Sequence, residues 1–393
     1  MSDNALEPIV NAIFNYYNWF KSCWIEPKID FNSLFKNMKF KNIDNVYPEL
    51  VNQSNEEYYR VFEFNVPLGF SIEDFKNKED VFAQALNVNV KDLRFEKKNY
   101  NVIIKARNSK KPVFIFDEEI HKRKGFKIPI GIELDTLKLR YWDISDPANA
   151  HCYIAGGTRC GKSTVLRLIM SYLVSMPKCD MNLDILNEKI VDLIEFKDCK
   201  NVMHYTENLD EANDILDDVI DEMNKRYKRF GKMKNVKNIW DYRKHIQKMP
   251  IRIVVIEELS SYVNDKEFHN KLKNIASRGA AAGVFLLLTA QLPNKDVLPN
   301  LTKQNINTVI GGKCKDSIRS DIIVEDGELQ KLRGKGHMKI FDSDDYGTEI
   351  QALWIDDSKV DEIANRYKIK EAPTVAAVNA SNRKLLKPTQ LNK

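Results

Sequence analysis

Apolar and polar positions change period several times along this chain, and the changes outline its organisation. Residues 1–55 read as helical and then loop-like, and "YYRVFEFNVP" (58–67) alternates as a strand does. "SIEDFKNKEDVFAQALNV" (71–88) has helical spacing, with Ser71 and Asp74 placed as an N-terminal cap. "LRFEKKNYNVIIKARN" (93–108) and "PVFIFD" (112–117) read as paired strands, and 128–146 as two short strands leading onward. From 147 to 356, apolar strands alternate with helical stretches: 151–156, 181–187, 201–206, 251–258, 284–291, 307–313 and 336–342. Fully apolar strands separated by helices predict a mainly parallel sheet covered on both faces. A last helix is expected over 358–369, followed by a polar, disordered end. There is no internal repeat. The expected division is an N-terminal helical region (1–55), a small α+β module (56–146), a motor domain (147–356) and a tail (357–393).

Composition narrows this only a little. Hydrophobic residues make up 43% of 393, enough for a sizeable core, and no run approaches a membrane span. Residues 9–25 form an aromatic-rich amphipathic helix on this reading, with two roles open: packing within its own domain, or docking on a membrane or a membrane partner. No signal peptide is recognisable at the N-terminus. Six cysteines lack paired spacing, which argues against a zinc or disulfide framework and fits a reducing cytoplasm. The net charge of +5 says little about nucleic acid. Residues 225–248 hold ten Lys/Arg against one acid, Asp241, and read either as a solvated or intersubunit face or as a phosphate-facing one.

The chemistry begins at "GGTRCGKS" (156–163), between an apolar strand and an apolar helix. This is the phosphate-loop pattern G-x-x-x-x-G-K-[ST]. Gly156, Gly157, Thr158, Arg159, Cys160 and Gly161 would wrap a phosphate with backbone N–H groups. Lys162 would reach the β- and γ-phosphates of ATP, the Ser163 hydroxyl would ligate Mg²⁺, and Thr164 follows in the helix whose N-terminus favours anions. Hydrolysis needs an acid pair, and "IRIVVIEELSS" (251–261) ends a buried strand in Glu257 and Glu258. Glu257 would hold the metal-bound water, and Glu258 would polarise the attacking water. A further apolar strand ends in Thr289 and Gln291, where an amide can sense the γ-phosphate. The expected fold class is therefore α/β: a RecA-like P-loop NTPase with a mainly parallel sheet, preceded by a small α+β module.

These motifs, in this order, resemble the FtsK/SpoIIIE-type DNA translocases within the HerA/FtsK group of ring motors. The likeness runs over about 58–345. It rests on "PANAHCYIAGGTRCGKSTVLRLI", "LNEKIVDL", the helix and basic stretch at 219–246, "IASRGAAAGVFLLLTAQLP" and "LRGKGHMKIF". Several family positions differ: Asn187 and Glu188 depart from the segment after the second strand, His337 replaces an acid, Leu292 stands for the usual Arg after the Gln, and Ala280 for the Arg before Ala-Ala-Gly. Arg278, Lys313 and Arg319 are accordingly the candidates for an arginine acting across a subunit boundary.

The resemblance implies a DNA-translocating ATPase that uses ATP and Mg²⁺ and forms a homohexamer with DNA in its pore. Lys189, Lys295 and Lys303 are placed to face DNA phosphates, with ordinary surface roles as the alternative. The 40 or so residues after the motor are too few for the winged-helix module of some family members. A motor without such a module takes its direction from a partner. That fits the coupling ATPase of a conjugative plasmid or integrative element in Gram-positive bacteria, working with a relaxase and a membrane channel. Such a protein is expected in the cytoplasm, recruited to the inner face of the membrane. A chromosome- or phage-related DNA pump, a protein-export motor like the type VII secretion ATPases, and a nucleotide-gated scaffold are the alternatives.

Overall fold

The structure is a computed structural model that describes residues 29–56, 58–108, 112–149, 151–188, 192–291, 296–343 and 345–369. The amphipathic helix expected over 9–25, the tail beyond 369, and Lys189, Leu292 and Lys295 lie outside the described residues. The chain divides into two compact units, Met1–Pro112 and Val113–Lys393.

The first unit runs α1 (Phe31–Asn37), β1 (Glu49–Asn55), β2 (Tyr59–Asn65), α2 (Ile72–Lys76), α3 (Glu79–Leu86), β3 (Leu93–Lys98) and β4 (Asn101–Arg107). The strands form an antiparallel sheet in the order β1-β2-β4-β3. Alternation on β2 and β4 turns Phe62, Phe64, Val102 and Ile104 to one face, where they meet Phe31, Phe35, Phe75 and Phe82 from the helices. The expected cap is present as a reciprocal Ser71–Asp74 capping box. The single helix expected over 71–88 is divided at Asn77 and Lys78, where the Asn77 N–H closes α2 on Glu73. The separate helical region expected over 1–55 needs correction. Phe31 and Phe35 of α1 pack on Phe64, with ring centroids 4.9 and 5.5 Å apart, so α1 and β1 belong to the small α+β unit.

The second unit continues with β5 (Lys127–Glu133), β6 (Leu139–Asp143), β7 (Cys152–Ala155), α4 (Lys162–Val174), β8 (Met181–Asn187), β9 (Val202–Thr206), α5 (Leu209–Phe230) and α6 (Ile239–His245). Then come β10 (Ile251–Glu257), α7 (Lys266–Ala282), β11 (Val284–Ala290), α8 (Asn300–Lys303), β12 (Thr308–Gly312), α9 (Ser317–Val324), β13 (His337–Phe341), β14 (Tyr346–Ala352) and α10 (Asp357–Tyr367). The sheet order is β6-β5-β14-β13-β12-β7-β11-β10-β8-β9. The six strands from β12 to β9 are parallel, and β13, β14, β5 and β6 extend the sheet in antiparallel fashion. Every residue of β10 and β11 is buried, as a strand covered on both sides requires. Ile253, Val255, Phe285 and Leu287 face one core with α4; Val254, Ile256, Leu286 and Leu288 face the other with α5 and α7.

The boundary expected at 146/147 falls instead at 112/113. Ile128, Ile130, Ile132 and Trp142 bury into the α4 core, so β5 and β6 are an edge of the large sheet. Residues 112–117 form no hairpin strand. The Phe116 N–H donates to the Trp354 carbonyl at 2.8 Å, and the Trp354 N–H to that of Phe114 at 2.8 Å. Helix α10 is likewise no part of a tail: Val360, Ile363 and Ala364 share the α4 core.

One polar cluster interrupts this interior. Arg252, on β10, is buried and binds Asp184 of β8 bidentately, at 2.6 and 3.0 Å, and Glu222 of α5 at 2.7 Å. Arg226, from the basic run, is also buried and caps the carbonyls of Ala282 and Pro250, each at 2.9 Å. Arg243 pairs with Asp180, and Arg229 lies over the Tyr242 ring. Part of the basic run therefore serves the fold.

Candidate nucleotide site

Strand β7 ends at Ala155, and α4 starts at Lys162 after a loop whose last residue, Gly161, has φ 109°. Only glycine fits there: a Cβ on Gly161 would lie 2.7 Å from the Gly336 nitrogen. A Cβ on Gly156 would meet Cys160 Sγ and Gly312 Cα at 2.9 Å each. The loop is tied to later strands. The Gly157 N–H donates to the Lys313 carbonyl at 2.9 Å, and the Gly336 N–H to that of Cys160 at 2.7 Å. Burial pushes the Cys160 thiol up from its ordinary pKa, so it is a packed, protonated group.

Lys162 is buried, and three groups surround its ammonium: Glu257 Oε1 at 3.5 Å, Thr289 Oγ1 at 3.3 Å and Glu258 Oε2 at 3.8 Å. Strands β10 and β11 are neighbours, which brings both glutamates and Thr289 to one edge. This is the carboxyl edge of the parallel strands, where open α/β sheets bind ligands.

Glu258 has φ 61° and ψ 75°, a backbone that residues with a side chain adopt only when surroundings impose it. Its N–H donates to Thr289 Oγ1 at 3.1 Å. Its Oε1 accepts from the Gln291 N–H at 3.1 Å and from the Ser260 hydroxyl. The strand end is thus bent so that the carboxylate turns back over the loop lysine instead of continuing outward.

A cavity of about 480 Å³ lies on the loop, lined by Gly157 through Thr164 and by Gln291, Lys335, Gly336 and Gln351 through Trp354. The structure therefore gathers the whole phosphate loop with Glu257, Glu258 and Gln291. Arg278 does not line this cavity. It lies on α7, its guanidinium over the Tyr227 ring and bonded to Asn224 and Asn274. Arg319 pairs with Asp316, while the Lys313 carbonyl holds the loop. Lys303 pairs with Glu325 at 3.0 Å, so it has a local partner. His151, just before β7, is held near pKa 4 by burial, and its Nδ1 accepts from the Leu286 N–H; it is a neutral packing residue.

The wall formed by Lys335, Gln351, Leu353 and Trp354 was not expected from the residues. One signal was available: Gly334, Lys335 and Gly336 all take positive φ, and Gly-Lys-Gly marks such a turn. Among the described residues no cluster of three or more His, Cys, Asp or Glu could hold a metal, and no helix is long and apolar enough to cross a membrane.

Comparison with known proteins agrees with this geometry. Residues 117–310 match the FtsK/SpoIIIE family. The DNA translocase FtsK of Staphylococcus epidermidis is 26% identical over 253 residues, which cover 60% of this chain and 30% of that protein. The DNA translocase FtsK of Clostridium tetani is 29% identical over 236 residues, 57% of this chain and 32% of that one. The chain thus aligns with only about a third of the length of these relatives. Among solved structures, the conjugation coupling protein TcpA of pCW3, in a monomer form with ATPγS, superposes with a TM-score of 0.56 at 21% identity, covering 85% of this chain and 97% of that one. EssC (ATPases 2 and 3) from Geobacillus thermodenitrificans gives 0.58 at 18% identity, covering 66% and 52%. At these identities the superpositions speak for the fold, a P-loop α/β domain. The phosphate loop and the acid pair both lie within residues 117–310, and this stretch is similar to the FtsK/SpoIIIE-type ATPases.

Proposed function

We propose that this chain hydrolyses ATP to drive DNA, as the coupling ATPase of a conjugative plasmid or integrative element. The observation that carries the reading is the meeting of Lys162, Glu257, Glu258 and Thr289 at the phosphate loop. Lys162 would leave the glutamates for the β- and γ-phosphate oxygens when ATP binds. Glu258 would take the proton of the attacking water, and Gln291, whose N–H touches Glu258, would relay the loss of the γ-phosphate. The Ser163 hydroxyl and the Glu257 carboxylate are hard oxygen donors suited to Mg²⁺, which would neutralise phosphate charge there. Arg278, outside its own cavity, is offered to a neighbouring subunit of a homohexamer, and Lys189, Lys295 and Lys303 to DNA in the pore. The coupling role is supported by the likeness to TcpA over most of both chains. It implies a relaxase and channel proteins as partners, and a cytoplasmic site at the membrane face.

The test is ATP turnover with no DNA, single-stranded DNA and duplex DNA, with Lys162→Ala as control. DNA should stimulate the wild type severalfold, and the variant should be inactive. Robust turnover indifferent to both DNAs at every protein concentration would overturn the DNA reading and favour a protein-export motor.

A further inference from the structure

The cavity has a second wall that phosphate chemistry does not use. Lys335, Gln351, Leu353 and Trp354 line it. Trp354 is 52% exposed, yet the segment that carries it is fixed on two sides. Its N–H donates to the Phe114 carbonyl and its own carbonyl accepts from Phe116, each at 2.8 Å. The preceding residue, Leu353, is fully buried, and its N–H donates to the Ile130 carbonyl at 3.3 Å. A large aromatic surface uncovered on a fixed backbone is preorganised for a flat ligand, since little freedom remains to be lost on binding. Beside it, Gln351 Nε2 donates to the Lys335 carbonyl at 3.0 Å. That bond sets the amide orientation and leaves Oε1 as an acceptor, with no hydrogen bond to it among the described residues.

We propose that this wall is the base subsite of the nucleotide. Trp354 stacks on the purine ring, and Gln351 Oε1 accepts from the exocyclic amine of adenine. Guanine presents a carbonyl at that ring position, so an acceptor there rejects it. The cavity volume of about 480 Å³ falls within the range of sites that enclose small molecules, and the phosphate loop and Trp354 both line this one space. The assignment rests on the nucleotide reading above and adds to it which residues choose the base.

The experiment separates base from phosphate. Purified full-length protein with Mg²⁺ is titrated calorimetrically with ATP, GTP and inorganic tripolyphosphate, and ATP binding is followed in parallel by tryptophan fluorescence. Trp354→Ala should weaken ATP roughly 5- to 100-fold, the scale of one base–aromatic stack, and leave tripolyphosphate unchanged. Trp354→Phe should keep ATP affinity within a few fold while losing the ATP-dependent fluorescence change. Gln351→Leu should erode the preference for ATP over GTP. The proposal is overturned if Trp354→Ala binds ATP like the wild type, or if it loses ATP and tripolyphosphate equally. Should the Ala variant fail to fold, a fluorescence response to ATP that persists in Trp354→Phe also overturns it. A wild-type protein that binds neither ATP nor tripolyphosphate overturns the nucleotide reading itself, a different failure from loss of base discrimination.

Discussion

At the scale of single residues, Glu258 decides the most. Its left-handed backbone and three hydrogen bonds fix the carboxylate beside Lys162, and Thr289 takes part in both arrangements. Glu258→Gln keeps the shape but cannot take a proton. It should bind ATP normally and hydrolyse it about 100-fold or more slowly, the usual scale of a lost general base. If Glu258→Gln turns over at the wild-type rate while Glu257→Gln is dead, the two roles are exchanged. Thr289→Val removes the acceptor that holds the Glu258 N–H. Its kcat should fall about tenfold at unchanged ATP affinity, and Thr289→Ser should restore it; that tenfold corresponds to about 1.4 kcal/mol, within the range of one hydrogen bond between neutral groups. A parallel loss of affinity would make Thr289 part of the binding site instead of a support for Glu258. The loop and acid residues were legible because each needs a particular residue type at a fixed spacing. The Thr289–Glu258 bond was not, because it depends on how far β11 advances beside β10.

At the scale of elements, the buried Arg252–Asp184 pair joins β10 to β8 and, through Glu222, to α5. Arg252→Met leaves the buried Asp184 without its guanidinium partner, with His204 still beside it, and should cost about 3–5 kcal/mol in urea unfolding. Adding Asp184→Leu should recover much of that loss; no recovery would mean that the pair is not the cause. His204 at the end of the same cluster titrates. Its hydrogen bond to Asp184 raises its pKa, against the opposing effects of burial and Arg252. A raised folded pKa means that the stabilisation is complete below about pH 6.5, the unfolded value, and fades as pH rises through the folded one. His204→Asn should therefore lower Tm at pH 5.5 by a few degrees and barely at pH 9; equal losses at both would show that the charge is irrelevant. The parallel strands were readable as continuous apolar runs. Strand β14 was not, since only Ile350 and Ala352 are buried, alternating with Glu349 and Gln351. The apolar positions of β5 and β6 mark them as strands but cannot say which sheet they join. The sequence therefore assigns them to the small module, whereas their pairing joins them to the large sheet.

At the scale of the whole molecule, the proposed ring makes activity a property of the assembly. Turnover should rise more steeply than linearly with protein concentration, and DNA should promote assembly, seen together by native mass measurement. Strictly linear dependence with a monomeric mass would remove the ring. The triple variant Lys189→Ala, Lys295→Ala, Lys303→Ala should retain basal turnover and lose DNA stimulation. Each lost phosphate contact should also flatten the log–log salt dependence of DNA binding by roughly 0.7 to 0.9. Because Lys303 pairs with Glu325, its share should be the smallest of the three; full stimulation with an unchanged salt slope would clear all three of a DNA role.

The ties that hold the phosphate loop also set a schedule for making it. Gly157 leans on Lys313, and Cys160 on Gly336, segments far later in the chain. A ribosome adding about 5–20 residues per second exposes the loop roughly 10–40 seconds before Gly336 follows. Until then the nascent loop lacks the backbone partners that shape it. Nucleotide capture is therefore a late event in biosynthesis, and a chain cut short before residue 313 should be blind to ATP however intact its Gly-Lys-Ser remains.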